Sequence, residues 1–246
     1  MGRAFEYRKA AKFARWDRMA KQFARIGKEI AMAVKEGGPD PETNPALRRV
    51  MQNAKGVNMP KDNVERAIKK ASGADAEVYD LITFEGYGPH GIGIFIECTT
   101  NNNNRTVANV RAIFNKVGGN LGKNGELAFM FDRKGVFTIE LEKMQMDWED
   151  FELEMIDAGA ESMEKEDEVV IVYADFEDFG SVSHRLDDLG IEVQNAELLR
   201  IPNITKELPV DQAKEILDII DRFEQDDDVQ NVYHTLEITQ ELENAL

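Results

Sequence analysis

The stretch Thr99–Gly122 reads TTNNNNRTVANVRAIFNKVGGNLG, and the fold of the chain turns on it. Four asparagines and an arginine open a helix, and Gly118-Gly119 close it with a left-handed stop. Val107, Val110, Phe114 and Val117 recur at 3-4-3 spacing, so one face is built for a core. Two readings of the polar opening stand side by side. Side-chain amides, a guanidinium and the free N–H groups of a helix start make a site for an anion such as phosphate. The same residues also make an ordinary capped helix, because asparagine suits caps and turns.

Working outward, Gly91–Thr100 (GIGIFIECTT) is a buried-strand pattern and Leu81–Glu85 a shorter strand before it. Gly86, Gly88 and Gly91 between them satisfy G-x-G-x-x-G, yet a strand follows where a dinucleotide site needs a helix. On the other side, Glu126–Asp132 (ELAFMFD) reads as a strand. Residues 135–201 then give strand, helix, strand, helix, strand: Val136–Leu141, Trp148–Asp157, Val169–Ala174, a helix carrying Phe179, Val182, Leu186 and Leu189, and Ala196–Ile201. Val210–Phe223 is a further helix and Val229–Ile238 a last strand. The first group of elements is one helix and one strand short of a two-layer sandwich. The C-terminal pair can supply them, so 134–203 is expected to be an α+β domain inserted in one made of 77–133 plus 204–246.

The N-terminal part is helical and of opposite charge. Residues 1–75 hold 17 Lys/Arg against 9 Asp/Glu, while residues 76–246 hold 13 against 38. A surplus of eight positive charges thus precedes a deficit of twenty-five, which points to an electropositive module for polyanions on an acidic body. Trp16, Met19, Phe23, Ile26, Ile30 and Val34 form a helical stripe, with Arg18, Lys21, Arg25 and Lys28 placed on the opposite side. Arg8, Lys12 and Arg15 fall out of that phase, so residues 1–14 are expected to form a separate basic arm that is mobile until it meets a partner. Gly37-Gly38-Pro39-Asp40-Pro41 breaks the chain. Asn44-Pro45 starts a second helix that ends at Gly56, and a third runs from Pro60 toward Gly73. Residues 1–76 therefore read as a basic arm with a three-helix domain.

Several classes are excluded or disfavoured by composition. There is no run of about 18 apolar residues for a membrane span, and the basic N-terminus lacks an apolar signal region. Cys98 is the single cysteine, which removes disulfide frameworks and fits a reducing, cytoplasmic compartment. His90, His184 and His234 lie in three different segments, and neither a nucleophile elbow nor a phosphate-binding lysine loop is present. Asp226-Asp227-Asp228 could attract a divalent cation, but consecutive carboxylates before a strand read as a solvated turn. No catalytic residue, metal or cofactor is expected.

The chain resembles the YebC family, the group that includes the mitochondrial translational activator of cytochrome c oxidase. The segments that carry the resemblance are Glu36–Pro41 (EGGPDP), Asn58–Lys69 (NMPKDNVERAIK), Phe84–Gly88 (FEGYG), Asn104–Thr106 (NRT), Ala108–Arg111 (ANVR), Gly118–Leu121 (GGNL), Phe129–Val136 (FMFDRKGV) and Asp226–His234 (DDDVQNVYH). The resemblance implies an α+β protein with a three-helix first domain and two ferredoxin-like α+β sandwich domains. It also implies nucleic-acid binding, since bacterial relatives are assigned as transcriptional regulators and others act on the ribosome. The start departs from the family: Gly2–Lys9 (GRAFEYRK) stands where a His-Ser-Lys-Trp block is usual. Only Arg8-Lys9-Ala10-Ala11 fits the Arg/Lys-Lys-Ala-Ala portion of the family pattern.

The expected activity is regulation through DNA, gripped by Arg3, Arg8, Lys9, Lys12, Arg15, Arg18, Lys21, Arg25 and Lys61, with Asn103, Asn104 and Arg105 contributing at the Asn-rich loop. The alternative is a translation factor that binds ribosomal RNA on the ribosome, because the amides and guanidinium of that loop also suit splayed bases.

Overall fold

The structure, a computed structural model, describes residues 19–166 and 168–246. The arm expected over residues 1–14, with Arg3, Arg8, Lys9, Lys12 and Arg15, lies outside the described residues, as does Arg18. Within them the architecture is α+β, with three N-terminal helices followed by two four-stranded antiparallel sheets. The chain divides into two compact units, one holding 33–72 with 133–200, the other holding 73–132 with 201–246 and the preceding part of the first helix.

The second unit is built around the sheet β3-β1-β2-β8, with β1 Asp80–Tyr87, β2 Gly93–Thr100, β3 Asn120–Leu121 and β8 Val229–His234. A hairpin pairs β1 with β2 from Asp80↔Thr100 to Tyr87↔Gly93. The free edge of β2 takes β8 in antiparallel register, Ile94↔His234 to Glu97↔Asn231. Helices α4 Asn103–Lys116 and α7 Val210–Glu224 cover one face. Phe114 of α4 meets Phe223 of α7 with ring centroids 4.8 Å apart, over Ile94, Ile96 and Cys98 of β2. The Val110 and Phe114 positions of the sequence stripe are fully buried. The glycine pair divides its work. Gly118 adopts φ +70°, the left-handed stop, whereas a Cβ on Gly119 would sit 2.6 Å from the carbonyl oxygen of Tyr87.

Residues 126–130 are not the strand that ELAFMFD suggested; the strand begins only at Phe131. Buried Glu85 supplies the reason. Its carboxylate accepts from the backbone N–H groups of Gly125 at 2.7 Å and Leu127 at 2.5 Å. Those amides are held by a side chain of β1 and so are not available to a ladder, and the sheet edge beside β1 is the two-residue β3.

The other sheet has the order β5-β6-β4-β7, with β4 Phe131–Glu140, β5 Ala160–Lys165, β6 Val169–Asp175 and β7 Val193–Pro202. With α5 Trp148–Asp157 and α6 Phe179–Asp188 it completes a β-α-β-β-α-β ferredoxin-like sandwich. Sequence patterning missed β5. Its residues AESMEK are largely polar because it is an edge strand, paired only with β6. In the same unit, α2 Pro45–Gly56 and α3 Lys61–Ala71 dock against the sandwich. Asn53 exchanges two 2.9 Å hydrogen bonds with the backbone of Ala196, and Arg49 lies over the Phe179 ring.

The first helix, α1 Met19–Gly37, buries Ile26, Ile30 and Val34 as its stripe requires. Asn44 then organises the turn into α2. Its Oδ1 accepts from the N–H of Leu47 at 3.0 Å, and its Nδ2 donates to the carbonyls of Ala33 at 2.7 Å and Gly38 at 2.8 Å. Replacing Asn44 by Ala removes a helix cap and strands two carbonyls, at a cost of about 2–3 kcal/mol. Asn44→Asp keeps the cap acceptor but turns the paired donor into a third acceptor. It is therefore expected to destabilise more than Asn44→Ala when both are compared by urea unfolding.

Candidate nucleic-acid interface

The Asn-rich stretch is a capped helix start with an ion cluster built onto it. Asn102 is the N-cap of α4, its Oδ1 accepting from the N–H of Arg105 at 3.1 Å. The Arg105 guanidinium does not stand free. Nε donates to Asp228 Oδ2 at 3.1 Å, and Nη2 donates to the two carboxylate oxygens at 2.8 and 2.7 Å. Thr106 Oγ1 adds a 2.8 Å bond to Oδ2. Lys28 of α1 reaches the same place, with Nζ 3.3 Å from Asp228 Oδ1, 2.9 Å from the carbonyl of Thr99 and 2.6 Å from that of Asp227.

Asp228 is thus not the solvated carboxylate expected from an acidic turn; it is 4% exposed. Burial alone would raise its pKa, but the bonds from Arg105, Thr106 and Lys28 outweigh it and hold the group below the ordinary carboxylate range. Of the two cations on it, Arg105 is half open, at 47% side-chain exposure against 14% for Lys28. The flanking amides are likewise engaged with acids: Asn103 Nδ2 donates to Asp80 at 3.3 Å and Asn109 Nδ2 to Asp226 at 2.8 Å. Asn104 is exposed.

The cations of α1 fare differently from the amphipathic expectation. Arg25 donates to the carbonyl of Glu224 at 3.2 Å, and Lys28 is held as described. The polar side of this helix therefore packs on the acidic sandwich through charge-assisted bonds to carbonyls, which a hydrophobicity pattern cannot reveal. Lys21 is half-buried.

Exposed cations lie instead on α2 and α3. Arg48, Lys61, Arg66, Lys69 and Lys70 are all exposed. Lys61 faces Glu65 one turn on at 3.6 Å, with side chains 87% and 63% exposed, and Arg66 bonds to Asn63 and to the carbonyl of Asp62. Such exposed pairs leave the cations available to a competing anion. Of these residues, the sequence reading singled out Lys61; Arg66, Lys69 and Lys70 also carried a legible signal, charge at helical spacing on the side of α3 away from Val64 and Ile68.

The histidines are not brought together. His90 sits in the 3-10 turn Pro89–Gly91 at φ +59°, its Nε2 2.9 Å from Glu215. His234 is buried on β8, and loss of hydration pushes its pKa down to about 4, so the ring is neutral at pH 7. His184 is exposed on α6. Among the described residues, no group of three His, Cys, Asp or Glu could hold a metal ion, and no helix is long and apolar enough to cross a membrane.

Asp228→Asn leaves Arg105 and Lys28 without their shared counter-charge, and is expected to cost about 2–3 kcal/mol at pH 7. Because the folded-state pKa is lowered, this stabilisation exists above the unfolded value of about 3.9 and is lost as pH falls through the folded value. Chemical denaturation of both proteins from pH 7 to 3 should therefore show the difference shrinking only at the acidic end.

Comparison with known proteins agrees with the sequence resemblance. Residues 3–74 match the family described as TACO1/YebC protein N-terminal domain, and residues 79–236 match TACO1/YebC second and third domain. A protein of Porphyromonas gingivalis is 53% identical over 236 residues, covering 96% of this chain and 97% of its own length. A protein of Flavobacterium johnsoniae is 53% identical, with 96% and 99% covered. Both are named "Probable transcriptional regulatory protein". The crystal structure of a conserved hypothetical protein from Aquifex aeolicus superposes with a TM-score of 0.77 at 35% identity, covering 91% of this chain and 92% of that one. With both domain families matched in order and full-length relatives at this identity, the chain belongs to the TACO1/YebC family.

Proposed function

We propose that this protein is a regulator of gene expression that binds DNA through its basic N-terminal segment, within domain limits of 1–76, 77–133 plus 204–246, and 134–203. The observation that carries the reading is the cationic surface of α2 and α3, where Arg48, Lys61, Arg66, Lys69 and Lys70 are exposed. Arg3, Arg8, Lys9, Lys12, Arg15, Arg18 and Lys21 extend that charge in sequence. Lys and Arg there neutralise phosphates and release counterions, which gives affinity with little base information. Arg25 has a secondary part, because its guanidinium already bonds to a backbone carbonyl. Arg105 and Asn103 act on nucleic acid only where a phosphate or base competes with Asp228 and Asp80; Asn104 is open to direct contact. The name shared by these relatives favours DNA. The reading assigns no catalytic residue and no cofactor.

Binding to duplex DNA should weaken steeply with salt. Converting Arg48, Lys61, Arg66 and Lys69 to Gln should reduce the slope of log K against log salt by roughly 0.9 for every phosphate no longer neutralised. Arg8, Lys9, Lys12 and Arg15 changed to Ala should flatten it further. Slopes unchanged in both variants would remove the N-terminal segment from the function. Cross-linking in cells followed by sequencing should recover promoter DNA; recovery of ribosomal RNA in its place would make the protein a translation factor on the ribosome.

A further inference from the structure

Helix α5, at the surface of the inserted sandwich, carries a second and chemically opposite face. Its inner side is ordinary core, with Phe151 and Met155 fully buried. Its outer side leaves Leu153 63% and Ile156 53% exposed, one turn apart. Glu149, Asp150, Glu152 and Asp157 surround them, all exposed. The helix contains no lysine or arginine. Cations that reach it from elsewhere are engaged: Arg185 of α6 is bound to Glu154 through Nε at 2.8 Å, and Lys165 lies over the Trp148 ring. Over residues 133–200 the sequence holds 6 Lys/Arg against 20 Asp/Glu, so the field around this face is strongly negative.

Two adjacent aliphatic side chains inside an acidic ring make an amphipathic recognition surface. Nucleic acid and anionic lipid are repelled by the carboxylates, while a purely hydrophilic cation leaves the aliphatic pair wet. We propose that the outer face of α5 is a docking site for a protein partner presenting a lysine- and arginine-rich amphipathic helix. Its aliphatic seam covers Leu153 and Ile156, and its cations face the acidic ring. The proposal is independent of the nucleic-acid reading, since it uses a different helix and the opposite charge. It gives the protein a face that selects a basic protein whatever the cationic helices bind.

The test titrates the full-length protein with a four-turn synthetic peptide of leucine and lysine whose leucines repeat at i, i+3, i+4 and i+7. Fluorescence anisotropy of the labelled peptide is the readout, in moderate salt. Saturable binding is expected, weakened by about tenfold or more in the double variant Leu153→Gln/Ile156→Gln. A peptide of the same composition in scrambled order should bind as weakly as that variant binds the amphipathic one. Glu149→Gln/Glu152→Gln should weaken binding and reduce its salt dependence. Both Leu153 and Ile156 are at the surface, so far-UV circular dichroism and DNA affinity should match the parent protein. Equal binding by the parent and the Leu153/Ile156 variant, or by the ordered and scrambled peptides, would overturn the proposal. Self-association in sedimentation that the same two substitutions abolish would also overturn it, because the occupant would then be a second copy of this chain.

Discussion

The carboxylate of Asp228 is the contact on which the arrangement of the second unit depends. It precedes β8, and the backbone on either side of it is committed to the sheet: its carbonyl accepts from the N–H of Thr99 at the end of β2. Its side chain accepts from Arg105 and Thr106 in the first turn of α4 and from Lys28 of α1. One buried anion thus joins β2, β8, α4 and α1. A buried carboxylate is costly unless its lone pairs are filled by donors, and here three side chains converge to fill them. That convergence makes the return of the C-terminal strand specific as well as favourable.

The same contact sorts the positive charge of the N-terminal part. Lys28 and Arg25 are structural, bound to carbonyls and a carboxylate of the acidic sandwich. Arg48, Lys61, Arg66, Lys69 and Lys70 are exposed on α2 and α3. A net surplus of positive charge in the first 75 residues therefore does not translate residue by residue into a binding surface. Part of it neutralises acidic groups and carbonyls of its own chain, while the cations of α2 and α3 are exposed. The Asn-rich helix start is likewise engaged from within the chain: Asn102 caps the N–H of Arg105, and Asp228 takes the Arg105 guanidinium.

Buried polar side chains recur as the devices that set loops. Glu85 gathers the amides of Gly125 and Leu127, which decides that the segment before β4 curls where its composition suggests a strand. Asn44 gathers Ala33, Gly38 and Leu47, which fixes the corner between α1 and α2. Each satisfies backbone groups that a turn would otherwise leave unpaired. By contrast, Cys98 is inert: burial, with Asp226 and Asp228 adding to it, pushes its thiol up to about 12.

Sequence alone determined the α+β class, the family, and the elements whose apolar positions repeat with a clear period. Trp148–Asp157, the Val110–Phe114 face of α4, the buried run of β2 and the Asn44-Pro45 helix start all arise from local spacing and capping chemistry. Tertiary structure decided what period cannot encode. The edge strand Ala160–Lys165 is made a strand by its partner β6 and not by its own residues. Arg25, Lys28 and Arg105 become structural because acceptors from residues more than a hundred positions away lie opposite them. The physical reason is range: hydrophobic periodicity is read within a few turns of one element, whereas the partner of a charge is chosen by whichever group folding brings within hydrogen-bond distance.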